Sequence, residues 1–169
     1  MIVSIVRYLV ALGLLVQSAP ILAETIDGRV VGVSDGDTIT VLDAQRQQHK
    51  IRLAGIDAPE SKQAFGQTSK RHLSDLVFNR DVTLHCGKID RYKRQVCVVI
   101  VNGQDANLAQ VKAGMAWWYR AYAKEQIPEH RAQYQMAEID AQRQRIGLWH
   151  DSDPVAPWEW RHRPTKREN

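Results

Sequence analysis

Ser34-Asp35-Gly36-Asp37, followed at once by Thr38-Ile39-Thr40-Val41-Leu42, reads as a tight turn that delivers the chain into a β-strand. Aspartate and glycine are turn formers. The β-branched run after them suits a pleated, half-buried surface. Upstream, Ile26, Val30, Val31 and Val33 mark a first strand over 25–33. Downstream, the polar residues 43–48 make a second turn, and a third strand over 49–56 follows, stopped by Pro59.

The period then changes. Phe65, Ser69, His72, Leu73, Leu76 and Val77 recur at helical spacing within 63–79. Two apolar runs, 82–86 and 96–101, read as a strand pair, and Asn102-Gly103 is a turn signal. A short helix over 107–113 is ended by Gly114. Pro128 suits the first turn of a long helix. That helix is expected to run to about Ile146, with Ala132, Met136, Ile139 and Ile146 on its apolar face and Gly147 closing it. From Asp151 onward the Pro-, Trp- and Arg-rich chain is expected to be irregular apart from what Trp158 and Trp160 anchor. No repeat or low-complexity segment is present. Five strands, with one helix between the third and fourth and others after the fifth, predict an α+β, mainly β fold. Its core is a five-stranded β-barrel of the OB type with about three helices.

The chain has 169 residues, enough for one domain. Residues 1–23 read as a signal peptide. They hold one cation, Arg7, then an apolar run, then Ser18-Ala19-Pro20-Ile21-Leu22-Ala23, with cleavage expected after Ala23. The apolar run is shorter than the roughly 20 residues a spanning helix needs, so no membrane anchor is expected after cleavage. The domain would then occupy 24–150, with a tail over 151–169. The expected location is the periplasm or the medium. The basic excess, 23 Lys and Arg against 19 Asp and Glu, is mild; it is compatible with a polyanionic partner without establishing one. Cys86 and Cys97 lie on the two expected neighbouring strands, and export favours a structural disulfide between them. Two cysteines and histidines without ligand spacing argue against zinc.

Three pieces carry chemistry: Asp35-Gly36-Asp37-Thr38, then Arg52-Leu53-Ala54-Gly55-Ile56-Asp57-Ala58-Pro59-Glu60, then Asp90-Arg91-Tyr92-Lys93-Arg94. Taken singly, each has a bland explanation. An Asp-Gly pair is most often only a turn. Asp57 and Glu60 frame a proline at a strand exit, and Arg94 at a strand start reads as an edge charge. Arg52, in a mostly apolar strand, is odder and needs an anionic partner. Taken together, the pieces offer oxygen ligands for a hard cation, a carboxylate for a water, and two guanidiniums for a phosphate. Cutting a phosphodiester bond requires that combination.

The three pieces, in this order and spacing, resemble the thermonuclease family, the staphylococcal-nuclease-like domain. The resemblance runs from about Ile26 to Trp149 and includes the closing Gly147-Leu148-Trp149. It implies an OB-type barrel and one calcium ion held by Asp37, Asp57 and the main-chain carbonyl of Ala58. It implies Arg52, Glu60 and Arg94 as catalytic residues, with Glu60 as base for the attacking water. The implied reaction is hydrolysis of DNA and RNA to leave 3′-phosphate ends, by a monomer. Arg91 and Tyr92 resemble the family's phosphate-binding pair, and Tyr119 and Tyr122 correspond to aromatics that stack on bases. Trp117 and Trp118 read as packing. The basic stretch from Arg161 to Arg167 reads as a solvated end with at most weak attraction for phosphate.

Two residues depart from the family pattern. Ala58 stands where some members have threonine, which removes a hydroxyl but keeps the carbonyl. Lys93 stands where glycine is common, and a left-handed conformation there would cost it about 1 kcal/mol. The connection between the fourth and fifth strands also looks short. A second reading, a non-catalytic OB-fold module that binds nucleic acid or protein, requires the acids or arginines to be lost, and all five polar positions are present. A glycosidase with paired carboxylates leaves Arg52 and Arg94 unexplained.

Overall fold

A computed structural model describes residues 24–163. The expected signal peptide, 1–23, and the last residues of the tail lie outside them. The chain runs β1 (Glu24–Asp35), β2 (Thr38–Asp43), β3 (Gln48–Leu53), β4 (Ile56–Asp57), α1 (Gly66–Val77), β5 (Asp81–Ile89), β6 (Gln95–Val101), β7 (Gln104–Asp105), α2 (Ala106–Lys112), β8 (Trp117–Trp118), α3 (Pro128–Arg143) and α4 (Pro157–Trp160). Short 3-10 helices cover Arg120–Glu125 and Gly147–His150.

The first strand is long because it serves two partners. Its N-terminal part pairs antiparallel with β5 and its C-terminal part with β2. Register shifts between Val30 and Gly32 and between Val33 and Asp35, within the pairing to β2, bend it. β2 pairs with β3, and β5 with β6, both antiparallel. A short parallel pairing of β3 with β6, Ile51 opposite Gln95 to Leu53 opposite Cys97, closes the ring. The barrel order is therefore β3-β2-β1-β5-β6 and back to β3, the expected OB-type closure. β7 adds a short extra strand beside β6.

Alternation fills the barrel. Ile39 and Val41 of β2, Ile51 and Leu53 of β3, Leu84 of β5 and Val99 of β6 are buried. Each such side chain contributes about 1.5–3 kcal/mol of burial. Leu73 and Val77 of α1 and Val111 of α2 join the same core, with Tyr134 and Ala137 of α3. Cys86 and Cys97 are directly opposite each other on β5 and β6 and form the expected disulfide.

Three expectations are corrected. The third strand ends at Leu53 rather than at 56. Gly55 turns the chain at φ 73°, and Ile56-Asp57 pairs instead with Trp118-Trp117. The fourth strand continues past Cys86 to Ile89, where three consecutive exposed residues hide the ladder from a hydrophobic pattern. The long helix ends at Arg143 and turns a different face inward. Tyr134, Ala137, Glu138 and Ala141 are buried, whereas Met136 is 52% exposed. The reason is polar: Glu138 accepts from the Trp118 N–H at 3.0 Å and from Arg120 Nη2 at 2.7 Å. As expected, the tail is irregular among the described residues except over α4, which carries Trp158 and Trp160. α4 docks through Pro157 and Trp158, and Trp158 packs against a second small core of Trp117, Leu148 and Ala156.

Candidate active site

Two glycines bring the acidic turn and the strand exit together. A Cβ on Gly36 would sit 1.8 Å from the Ser69 hydroxyl of α1. A Cβ on Gly66 would sit 2.0 Å from the Glu60 carbonyl oxygen. The first helix therefore presses on both segments at positions only glycine can occupy. Gln110 of α2 donates to the Gly36 carbonyl at 2.7 Å, and the Leu53 N–H donates to the Asp37 carbonyl at 2.8 Å.

The Asp37 carboxylate is buried and fully engaged. It accepts from the Thr38 hydroxyl at 3.0 Å and the Ala58 N–H at 2.8 Å, and pairs with Arg52 Nη1 at 2.6 Å. Asp57, 1% exposed, pairs with Arg52 Nη2 at 2.8 Å. Arg52 thus has the anionic partners its position demanded: one guanidinium bridges both carboxylates, a geometry suited to arginine's planar fork. Burial pushes the Asp57 carboxyl up, and the neighbouring arginines pull it part of the way back. Asp35, which accepts from the Asp37 N–H at 3.1 Å, is pushed up to about 6 by burial and by the charge of Asp37.

Arg94 reaches the cleft from the turn between β5 and β6. Asp90 holds that turn by accepting the N–H groups of Tyr92 and Arg94, at 2.9 and 3.0 Å, and it pairs with the Arg94 guanidinium at 2.7 Å. Burial pushes the Asp90 carboxyl up, but Arg94 and these N–H donors outweigh it and hold it below the usual range. Arg94 Nη1 also reaches the Thr38 hydroxyl at 3.4 Å, so it is linked through Thr38 to Asp37. Lys93 does adopt the left-handed conformation, at φ 62°, as the glycine-like position required.

All ten residues expected in the site line one cleft of about 790 Å³. The aromatic rim differs in detail. Tyr92 and Tyr122 are exposed, whereas one face of Tyr119 is covered by Trp158, stacked at 5.3 Å and 6°. Trp117 and Trp118 are buried packing. Cys86 forms part of the cleft wall.

Sequence reasoning missed Arg161. It was read as a solvated end, yet its guanidinium enters the cleft. Nη2 lies 2.7 Å from Asp57 Oδ2, and Nη1 lies 2.8 Å from Glu60 Oε1. No periodicity or spacing links residues so far apart; only the docking of Trp158 shows where Arg161 ends. Gln63 was missed as well. Its side chain accepts the Glu60 N–H at 3.1 Å and donates to the Val155 carbonyl at 2.5 Å.

Among the described residues, no three His, Cys, Asp or Glu side chains form a ready cage for a metal ion. The donors do fit a hard cation in kind. Asp37 and Asp57 supply carboxylate oxygens and Ala58 a main-chain carbonyl, the oxygen donors a hard cation prefers.

Comparison with known proteins agrees with this geometry. The family described as staphylococcal nuclease homologue matches residues 50–151. A protein named as an endonuclease in Haemophilus influenzae is 48% identical over 133 residues, covering 79% of this chain and 71% of its own length. A micrococcal nuclease of Shigella flexneri is 42% identical over 164 residues, covering 92% and 91%. A staphylococcal-like nuclease of Arabidopsis thaliana is 37% identical over 115 residues, covering 68% of this chain and 34% of its own length. The chain therefore belongs to the staphylococcal nuclease homologues, the thermonuclease-like family of phosphodiester-cleaving hydrolases.

Proposed function

We propose that this protein is an exported, calcium-dependent endonuclease that hydrolyses DNA and RNA to leave 3′-phosphate ends. The observation that carries the reading is the meeting, in one cleft, of two buried carboxylates, one arginine from a strand and one from a turn, and a half-exposed glutamate. Asp37, Asp57 and the carbonyl of Ala58 would hold the cation. Bound there, calcium would supply Lewis-acid polarisation of a phosphoryl oxygen.

The protein's own groups account for the remaining chemistry. Arg52 and Arg94 bind non-bridging oxygens as charge builds at phosphorus. Glu60 takes a proton from the water whose oxygen bonds to phosphorus. The bond from phosphorus to the 5′ oxygen breaks, that oxygen leaves with a proton from solvent, and the phosphate stays on the 3′ side. Arg91 and Tyr92 meet neighbouring phosphates, while Tyr122 and the free face of Tyr119 offer surfaces for bases.

The disulfide supports an oxidising compartment, the periplasm or the medium. Among the described residues no helix is long and apolar enough to cross a membrane. We read the protein as a monomer. The test is product analysis. Plasmid DNA and an RNA transcript, each cut in calcium, should yield DNA ends that a polymerase extends only after phosphatase treatment, and RNA fragments with 3′-phosphates. Ends extended without phosphatase would contradict the proposed bond cleavage. A chain that binds DNA without cutting it would favour the binding-module reading.

A further inference from the structure

Two independent contacts tie Glu60 to the far end of the chain. The first is at its carboxylate. Arg161 Nη1 is 2.8 Å from Glu60 Oε1, while the other arm of the same guanidinium, Nη2, is 2.7 Å from Asp57 Oδ2. The second is at its backbone, where Gln63 bridges the Glu60 N–H to the Val155 carbonyl. Both contacts end on residues 155–161. That segment is itself fixed: Ala156 and Pro157 are buried, and Trp158 stacks on Tyr119 and meets Trp117 edge-on. The Arg161 N–H donates to the Pro157 carbonyl at 3.0 Å, so the arginine leaves the end of a docked turn rather than a loose tail.

Glu60 needs such support. It lies in the loop between β4 and α1 and is half-exposed, without a strand to fix its rotamer. A base that must meet one water gains from a held orientation. We propose that residues 155–161 form a positioning arm for Glu60, and that Arg161 is its gripping residue, a positioning residue for phosphodiester hydrolysis. The arm acts through Glu60 rather than on the substrate. The proposal rests on the nuclease reading given above.

Kinetics of the full chain on DNA in calcium test it. Arg161→Gln should lower kcat about tenfold, the lower end of what loss of an outer hydrogen-bonding partner costs, with KM within twofold. Arg161→Lys should recover part of the loss, because one charged contact survives. In a Glu60→Gln background, Arg161→Gln should cost almost nothing more, since the residue it positions is already gone. Gln63→Ala should lower kcat in the same direction without touching the carboxylate, and it serves as the second variant if Arg161→Gln fails to fold by thermal melting. Three results would overturn the proposal: wild-type kcat in both variants, a rise in KM at unchanged kcat, or an undiminished loss in the Glu60→Gln background. The second of these would make Arg161 a phosphate contact. An inactive wild-type chain would instead overturn the nuclease reading itself, so the two failures are distinguishable.

Discussion

Arg52 and Arg94 face one cleft from two different kinds of support. Arg52 grows from a barrel strand, its side chain is 13% exposed, and it is clamped between two buried carboxylates. Arg94 grows from a turn, its side chain is 21% exposed, and it has one carboxylate partner, four residues away in sequence. The floor of the cleft is therefore part of the core, whereas the rim is a set of turns and a tail laid over it. Substitutions at the floor should cost stability and rate together, and those at the rim mainly rate.

The largest expected effect is at the floor. Arg52→Ala should lower turnover about 10²–10³-fold through loss of a transition-state contact. It should also destabilise the fold by about 3 kcal/mol, because two buried carboxylates lose their shared partner. Arg94→Ala should lower turnover to a similar degree but destabilise by no more than about 1 kcal/mol, as expected of a more exposed pair. Kinetics and denaturant melts of both variants check this, and equal destabilisation would break the distinction between floor and rim. Glu60→Gln should lower kcat about 10²-fold with little change in KM. A change confined to KM would move Glu60 out of the chemistry. Reduction of the Cys86–Cys97 bond should cost roughly 2–3 kcal/mol on the chain-entropy account. Because Cys86 lines the cleft, activity should be followed alongside thermal stability. The melting temperature should fall under reductant before room-temperature activity does, and the reverse order would make the disulfide part of the working site.

The same distinction governs what was legible in the sequence. β2 announces itself because Ile39 and Val41 alternate with threonines, and Arg52 announces itself because a charge in an apolar strand needs a partner. These are local signals, and the floor of the cleft is built from them. The buried face of α3 was misread because Glu138 points inward to cap Trp118 while Met136 points out, an inversion that hydrophobicity cannot encode. Lys88 and Ile89 extend β5 with exposed side chains, so the strand's end left no period. Arg161 was illegible for a further reason. Its role depends on a docking contact, Trp158 on Tyr119, between residues on separate elements of the chain.

Calcium dependence tests the account most directly, because the floor is proposed as a calcium site. Purified protein should be incubated with supercoiled plasmid in calcium, and in parallel in magnesium with a calcium-selective chelator. Two carboxylates, a carbonyl and water suit calcium's long, flexible coordination better than magnesium's strict octahedron. The account predicts rapid nicking and linearisation in calcium and little in magnesium; equal cleavage in both would contradict it.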